Sequence, residues 1–328
     1  MKVIKVTPRG FCVGVVDAIN IAIEAAFDDT VPKPIQILGN IVHNHHISES
    51  FEKIGLKTID HKGKSRLELL DEVHEGTVIL TAHGVSDAVR KKARDKGLYV
   101  IDATCIYVTK SYDYIRKKLD EGYEVIYIGK RHHPEPEGAI GIDPKRVHLV
   151  ETLEDVKALD LAGKKIAITN QTTMSYWDIE ELAQAIQELY PGSEFENEIC
   201  DATQQRQAAV LKEAIHADLT IVVGDPLSNN TARLAQVSNE RAGTNAIRIE
   251  SVEDIQLEWL EGVKSVAVTS GASTPTALTN EVIKFLENYD PNDPSTHVRK
   301  SNATHLDILP RLKAKIRQLE REKAQQVN

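Results

Sequence analysis

Three cysteines at near-equal spacing constrain this chain more than any other feature. Cys12, Cys105 and Cys200 stand 93 and 95 residues apart in a chain of 328 residues. Each ends a strand-like segment and opens a helical pattern: VIKVTPRGFCVGVVDAINIAIEAA, YVIDATCIYVTKSYDYIRKKL and FENEICDATQQRQAAVLKEAI, the third with the weakest strand. Similarity at a fixed period means that one supersecondary unit is being repeated. Other segments recur in step with the cysteines. Residues 35–39 (IQILG) lead into NIVHNH, residues 124–129 (EVIYIG) into KRHHPEPEG, and residues 219–224 (LTIVVG) into DPLSNNTARL. Residues 77–81 (TVILT) lead into AHGVS, 165–169 (KIAIT) into NQTTMS, and 265–269 (SVAVT) into SGASTPT.

Such short, β-branched runs read as buried strands. Amphipathic segments such as 177–188 and 276–288 separate them, and alternating strand and helix argues for parallel sheets with crossover helices. The fold class is therefore α/β: three similar parallel-sheet lobes in a pseudo-threefold arrangement. The expected division is 14–103 for the first lobe, 104–196 for the second, and 1–13 plus 197–287 for the third, which takes in the N-terminal strand. Residues 288–328 form a C-terminal tail, a loop rich in Pro, Asp and Asn followed by a basic helical stretch. That helix is either a partner-binding element or a solvated helix lying on the body. In open parallel sheets, ligands bind beyond the carboxyl ends of the strands. Around a threefold axis, nine loops and all three cysteines then meet at one centre.

Composition narrows the function. Forty Lys and Arg against 49 Asp and Glu give a net charge of −9, which argues against a nucleic-acid partner. No apolar run reaches the ~18 residues of a membrane span, and the N-terminus has no apolar signal core. The expected location is cytoplasmic, with no membrane association, and an odd count of cysteines there argues against a disulfide framework. Gly63-Lys64-Ser65 resembles the end of a P-loop, but Thr58 stands where that motif needs Gly.

Three thiolates with no CxxC pair suit an iron–sulfur cluster or zinc, and leave one coordination position open for chemistry. His43, His83 and His133 each follow a strand, unlike His61, His74, His216 and His297, which read as surface residues. Thr172, Ser228, Asn229, Asn230 and Ser273 are neutral donors in loops leading toward helices. Together these groups and the helix N-termini make a cradle for a phosphate or diphosphate, although Ser, Thr and Asn are also ordinary helix caps. Glu135, two residues after His133, is the candidate proton donor, with Glu137 its competitor.

The stretches RGFCVGV, VHN, AHGVS, DATC, HPE, QTT, ICDAT, LSNN and GAS occur in this order from Arg9 to Ser273. In them the chain resembles the 4-hydroxy-3-methylbut-2-enyl diphosphate reductases, the IspH/LytB family of the methylerythritol phosphate (MEP) route to isoprenoids. The resemblance implies one 4Fe-4S cluster held by Cys12, Cys105 and Cys200, with one open iron site for substrate. It assigns substrate binding to His43, His83, His133, Thr172, Ser228, Asn229, Asn230 and Ser273, and proton delivery to Glu135. It implies a two-electron reductive dehydroxylation giving isopentenyl and dimethylallyl diphosphate. Electrons then come from an external one-electron donor such as ferredoxin or flavodoxin. Two positions depart from the pattern: Ile106, where many members carry Pro, and Asn229, where many carry Ser. The amide of Asn229 is expected to donate to phosphate in place of the hydroxyl. The rival readings are a zinc hydrolase of a phosphorylated metabolite with three Cys ligands, and a non-catalytic iron–sulfur sensor.

Overall fold

The computed structural model describes residues 1–326. Strand β1 (Lys2–Lys5) opens the chain and belongs to the third sheet. The first sheet contains β2 (Ile35–Leu38), β3 (Leu56–Ile59), β4 (Thr77–Leu80) and β5 (Tyr99–Asp102), in the spatial order β3-β2-β4-β5. The second contains β6 (Glu124–Ile128), β7 (Val147–Val150), β8 (Ile166–Asn170) and β9 (Glu194–Phe195), in the order β7-β6-β8-β9. The third contains β10 (Leu219–Val223), β11 (Ala246–Ile249) and β12 (Ser265–Ser270), and its order is β11-β10-β12-β1. All pairings are parallel. The three sheets thus share one topology, and β1 occupies in the third the place that β5 and β9 occupy in the others.

That substitution is what aligns the cysteines. The fourth strand of each sheet is followed by a cysteine: Cys105 after β5, Cys200 after β9 and Cys12 after β1. Each cysteine then caps a helix of similar length: Val13–Phe27, Ile106–Asp120 and Asp201–Ala214. The inner strands β2, β4, β8 and β10 are buried at every residue, which is why they read as continuous apolar runs. The short edge strands β3, β7 and β11 (LKTI, VHLV, AIRI) mix buried and solvent-facing positions, and sequence reasoning did not identify them.

The tail returns to the first lobe. Ile308, Leu309 and Leu312 are buried in the core formed by helix Val13–Phe27 and strand β2, and Lys315 pairs with Glu24 of that helix. The described part of helix Leu312–Gln326 therefore lies on the body, anchored at its first turn. Among the described residues, no helix is long and apolar enough to cross a membrane.

Candidate active site

The carboxyl ends of the three sheets converge on one cavity with about 670 Å³ of space free of protein atoms. Equivalent backbone bonds fix its floor. The N–H of Cys12 donates to the Ala272 carbonyl at 3.1 Å, that of Cys105 to Ala82 at 3.0 Å, and that of Cys200 to Thr172 at 3.1 Å. Each acceptor lies two residues beyond the third strand of the same sheet. Each cysteine has extended dihedrals at its N-cap position. All three line the cavity.

These residues fit a metal cluster. Three thiols from three lobes face one space, and the chain has no fourth cysteine to close the set. Burial pushes the Cys105 thiol up to about 11, with the other two cysteines adding to the rise. Burial also raises Cys200, against hydrogen bonds from Thr203. Sulfurs brought together in this way suit a cationic iron or zinc centre that draws off their protons. Gly14 keeps the space clear: a Cβ there would lie 2.5 Å from the Cys105 sulfur.

The histidines form a second layer. The rings of His43 and His83 are 4.4 Å apart, and those of His83 and His133 5.4 Å. Burial lowers all three, His43 to about 4, with Arg66 contributing, so all are neutral near pH 7. Their protons can then be placed. Nδ1 of His133 accepts the Glu135 N–H at 3.2 Å, which puts the ring proton on Nε2. That Nε2 faces His43 Nε2 at 3.2 Å and donates to it. His43 therefore carries its proton on Nδ1, a buried atom with no protein partner. The relay leaves one unspent donor for a ligand.

Glu135 is 2% exposed, in the first turn of helix Pro134–Ile140. Its Oε1 accepts from the Thr172 N–H at 2.8 Å and from Tyr127 at 3.3 Å, and its Oε2 from the Thr172 hydroxyl at 3.1 Å. Burial raises its pKa to about 7, the hydrogen bonds from Thr172 and Tyr127 opposing the shift. Glu137 does not line the cavity; its carboxylate accepts the Arg66 backbone N–H at 2.7 Å and ties the second lobe to the first.

The third lobe supplies neutral groups. Ser228 caps helix Asn229–Val237 by accepting from the Thr231 N–H, which leaves its hydroxyl proton free to donate. Asn230 donates to the Thr203 hydroxyl at 3.3 Å and accepts from the Ala272 N–H at 3.0 Å. Ser273 donates to the His43 carbonyl at 2.9 Å, joining the third lobe to the first. Asn229 differs from expectation. Its amide donates to the Thr173 carbonyl at 2.9 Å and the Thr173 hydroxyl at 3.2 Å, so its donors join two lobes and are not held for an anion.

All twelve residues singled out in the sequence line this cavity. Sequence reasoning missed Thr203, whose hydroxyl lies 3.2 Å from the Cys200 sulfur, and Tyr127, which reaches Glu135 from inside strand β6. Thr203 could have been found from its place one turn beyond Cys200. Tyr127 gives no signal within a buried strand.

The comparisons with known proteins agree with this arrangement. The family model described as LytB protein matches residues 3–287. The 4-hydroxy-3-methylbut-2-enyl diphosphate reductase of Bacillus cytotoxicus is 59% identical over 315 residues, 96% of this chain and 99% of that protein. That of Bacillus licheniformis is also 59% identical, over 96% of this chain and all of that protein. Among solved structures, the E-1-hydroxy-2-methyl-but-2-enyl-4-diphosphate reductase of Plasmodium falciparum superposes with a TM-score of 0.81 at 31% identity, covering 96% of this chain and 98% of that one. A second reductase structure, described as the terminal enzyme of the non-mevalonate pathway, gives 0.61 at 32% identity over 88% of this chain and all of that one. With a family model that matches residues 3–287 and relatives that span nearly its whole length, this chain belongs to the LytB family.

Proposed function

We propose that this protein reduces 4-hydroxy-3-methylbut-2-enyl diphosphate to isopentenyl and dimethylallyl diphosphate, the last step of the non-mevalonate route to isoprenoid precursors. The observation that carries the reading is the single cavity itself. It joins three thiols, a buried carboxyl with a pKa near 7 and a wall of neutral donors. The reaction breaks a carbon–oxygen bond, consumes two electrons and two protons, and releases water.

Cys12, Cys105 and Cys200 would hold one 4Fe-4S cluster, which would supply single electrons and an open Lewis-acidic iron for the substrate hydroxyl. Glu135 holds the proton for the departing hydroxyl. Thr172, bonded to Glu135 through both its N–H and its hydroxyl, orients the carboxyl and passes the proton on. His43 Nδ1, the Ser228 hydroxyl and the N-terminus of helix Asn229–Val237 grip the diphosphate. His83 and His133 complete that wall, and Asn229, Asn230 and Ser273 hold its loops in register across the lobes. Neutral histidines suit this role because they offer hydrogen bonds without competing for the proton of Glu135. The reading places the enzyme in the cytoplasm, with electrons from an external one-electron carrier such as ferredoxin or flavodoxin. It also takes 14–103, 104–196 and 1–13 with 197–287 as the three lobes.

Iron and sulfide analysis of anaerobically purified protein, followed by turnover with a chemical one-electron reductant, tests the reading. The expected result is iron with matching sulfide and formation of both products. The free alcohol lacking the diphosphate should be a very poor substrate. Zinc in place of iron would favour a hydrolase, and an iron–sulfur protein without turnover a sensor; either result overturns the proposal.

A further inference from the structure

Helix Asp201–Ala214, capped by Cys200, carries Arg206, 3% exposed, in its second turn. Its Nη1 donates to the Ala202 carbonyl at 2.9 Å in its own helix. Its Nη2 reaches across to the Gly10 carbonyl at 2.7 Å, two residues before Cys12. Its Nε is buried and has no partner. Among the described residues no carboxylate lies within ion-pairing distance of it. Arginine does not lose its proton in proteins, so this is a buried cation balanced only by carbonyl dipoles. Such a charge is costly unless an anion faces it. The groups that act on its charge are the sulfurs of Cys12 and Cys200, which favour the cation against burial.

We propose that Arg206 is the fixed counter-charge of the cysteine centre, a positioning residue that joins the Cys12 loop to the Cys200 helix and stabilises the reduced, more negative cluster. The inference rests on the reading that the three cysteines hold an iron–sulfur cluster. Without a metal, no carboxylate pairs with the guanidinium among the described residues. With the cluster bound, it faces a net negative group whose charge rises by one unit with each electron. A fixed cation there raises the reduction potential, because net charge and hydrogen bonding near the sulfurs set that potential. Its bond to Gly10, 196 residues earlier in the chain, also explains how the N-terminal segment is held at the centre by more than the pairing of β1 with β12.

The test compares anaerobically loaded wild type, Arg206→Gln and Arg206→Lys by spectroelectrochemical titration, iron retention, and thermal unfolding of each metal-free protein. Arg206→Gln should lower the midpoint potential by at least a tenfold change in the reduced-to-oxidised ratio, about 59 mV for a one-electron couple. Arg206→Lys, which keeps the charge, should stay close to wild type. A wild-type potential in Arg206→Gln, or equal shifts in both variants, overturns the proposal. If Arg206→Gln takes up no cluster, its metal-free form decides. Unfolding at or above the wild-type temperature supports a charge role, because an uncompensated buried cation has been removed. Unfolding below metal-free wild type, together with loss of the cluster from Arg206→Lys as well, assigns Arg206 to structure alone and overturns it. A wild-type protein without iron and sulfide would instead overturn the cluster reading itself.

Discussion

The second and third lobes present equivalent loops to the cavity and fill them with opposite chemistry. After β6 and β8 the second lobe places a buried carboxyl, Glu135, braced by Thr172 and Tyr127. After β10 and β12 the third lobe places Ser228, Asn229, Asn230 and Ser273, with no charge among them. The backbone is the same in both: Gly129 donates to the Val150 carbonyl at 2.9 Å and Gly224 to Ile249 at 2.7 Å, each closing the equivalent turn. The scaffold therefore sets where a loop arrives, and the side chain decides what it does there. A proton donor needs a desolvated acid, which the second lobe supplies. An anion site needs donors without negative charge, which the third lobe supplies.

The contrast depends on the shared floor, so breaking that floor should have the largest effect. Replacing Cys12, Cys105 or Cys200 with Ser should abolish most activity and destabilise the cluster, measured by turnover together with iron and sulfide content. Full activity and iron in all three single variants would separate the walls from any common centre.

Glu135→Gln breaks only the acidic wall. It should leave substrate binding and iron content in place and lower kcat by roughly 10²–10⁴-fold, the usual worth of general acid catalysis. Glu137→Gln should do less harm, because that carboxylate accepts the Arg66 N–H outside the cavity. A larger loss in Glu137→Gln would reverse the assignment.

The pH profile sharpens the same point. With Glu135 raised to about 7, its acid form is present below that pH and is lost as pH rises through it, so kcat should fall on the alkaline side. The limb should vanish in Glu135→Gln. The neutral wall has no matching limb near pH 7, since His43 titrates at about 4. An alkaline limb that persists in Glu135→Gln would assign the proton to another group.

On the neutral wall, Ser228→Ala or His43→Ala should weaken substrate binding by roughly 1–3 kcal/mol, the cost of one lost hydrogen bond to a charged or buried group. The loss should appear in KM more than in kcat. Asn229→Ser should have the smallest effect. It removes a bridge to Thr173 and not a contact with the ligand, so binding should change by less than about 1 kcal/mol. A loss as large as that of Ser228→Ala would place the Asn229 amide on the diphosphate after all.

Much of this site is legible in the amino-acid sequence. All twelve chosen residues sit in the loops or first helical turns that follow strands, so a repeat of strand signals locates them together. What escapes are groups whose roles come from distant partners. Tyr127 and Arg206 look like plain strand and helix residues, and only packing brings one to Glu135 and the other to Gly10. The edge strands β3, β7 and β11 escape because four-residue runs with polar positions carry too little periodicity to stand out.

Local pattern and spacing along the chain establish the repeat, the parallel α/β class, the loops that carry chemistry and the three sulfurs. Packing in three dimensions sets which of two neighbouring carboxyls enters the cavity, which ring nitrogens carry protons, and that Asn229 joins lobes where a ligand contact was expected. Glu135 and Glu137 are chemically identical and two residues apart. Burial beside Thr172 for one, and a backbone N–H from another lobe for the other, separate them. Desolvation and hydrogen bonding across lobes depend on three-dimensional neighbours, and no local pattern in the chain encodes them.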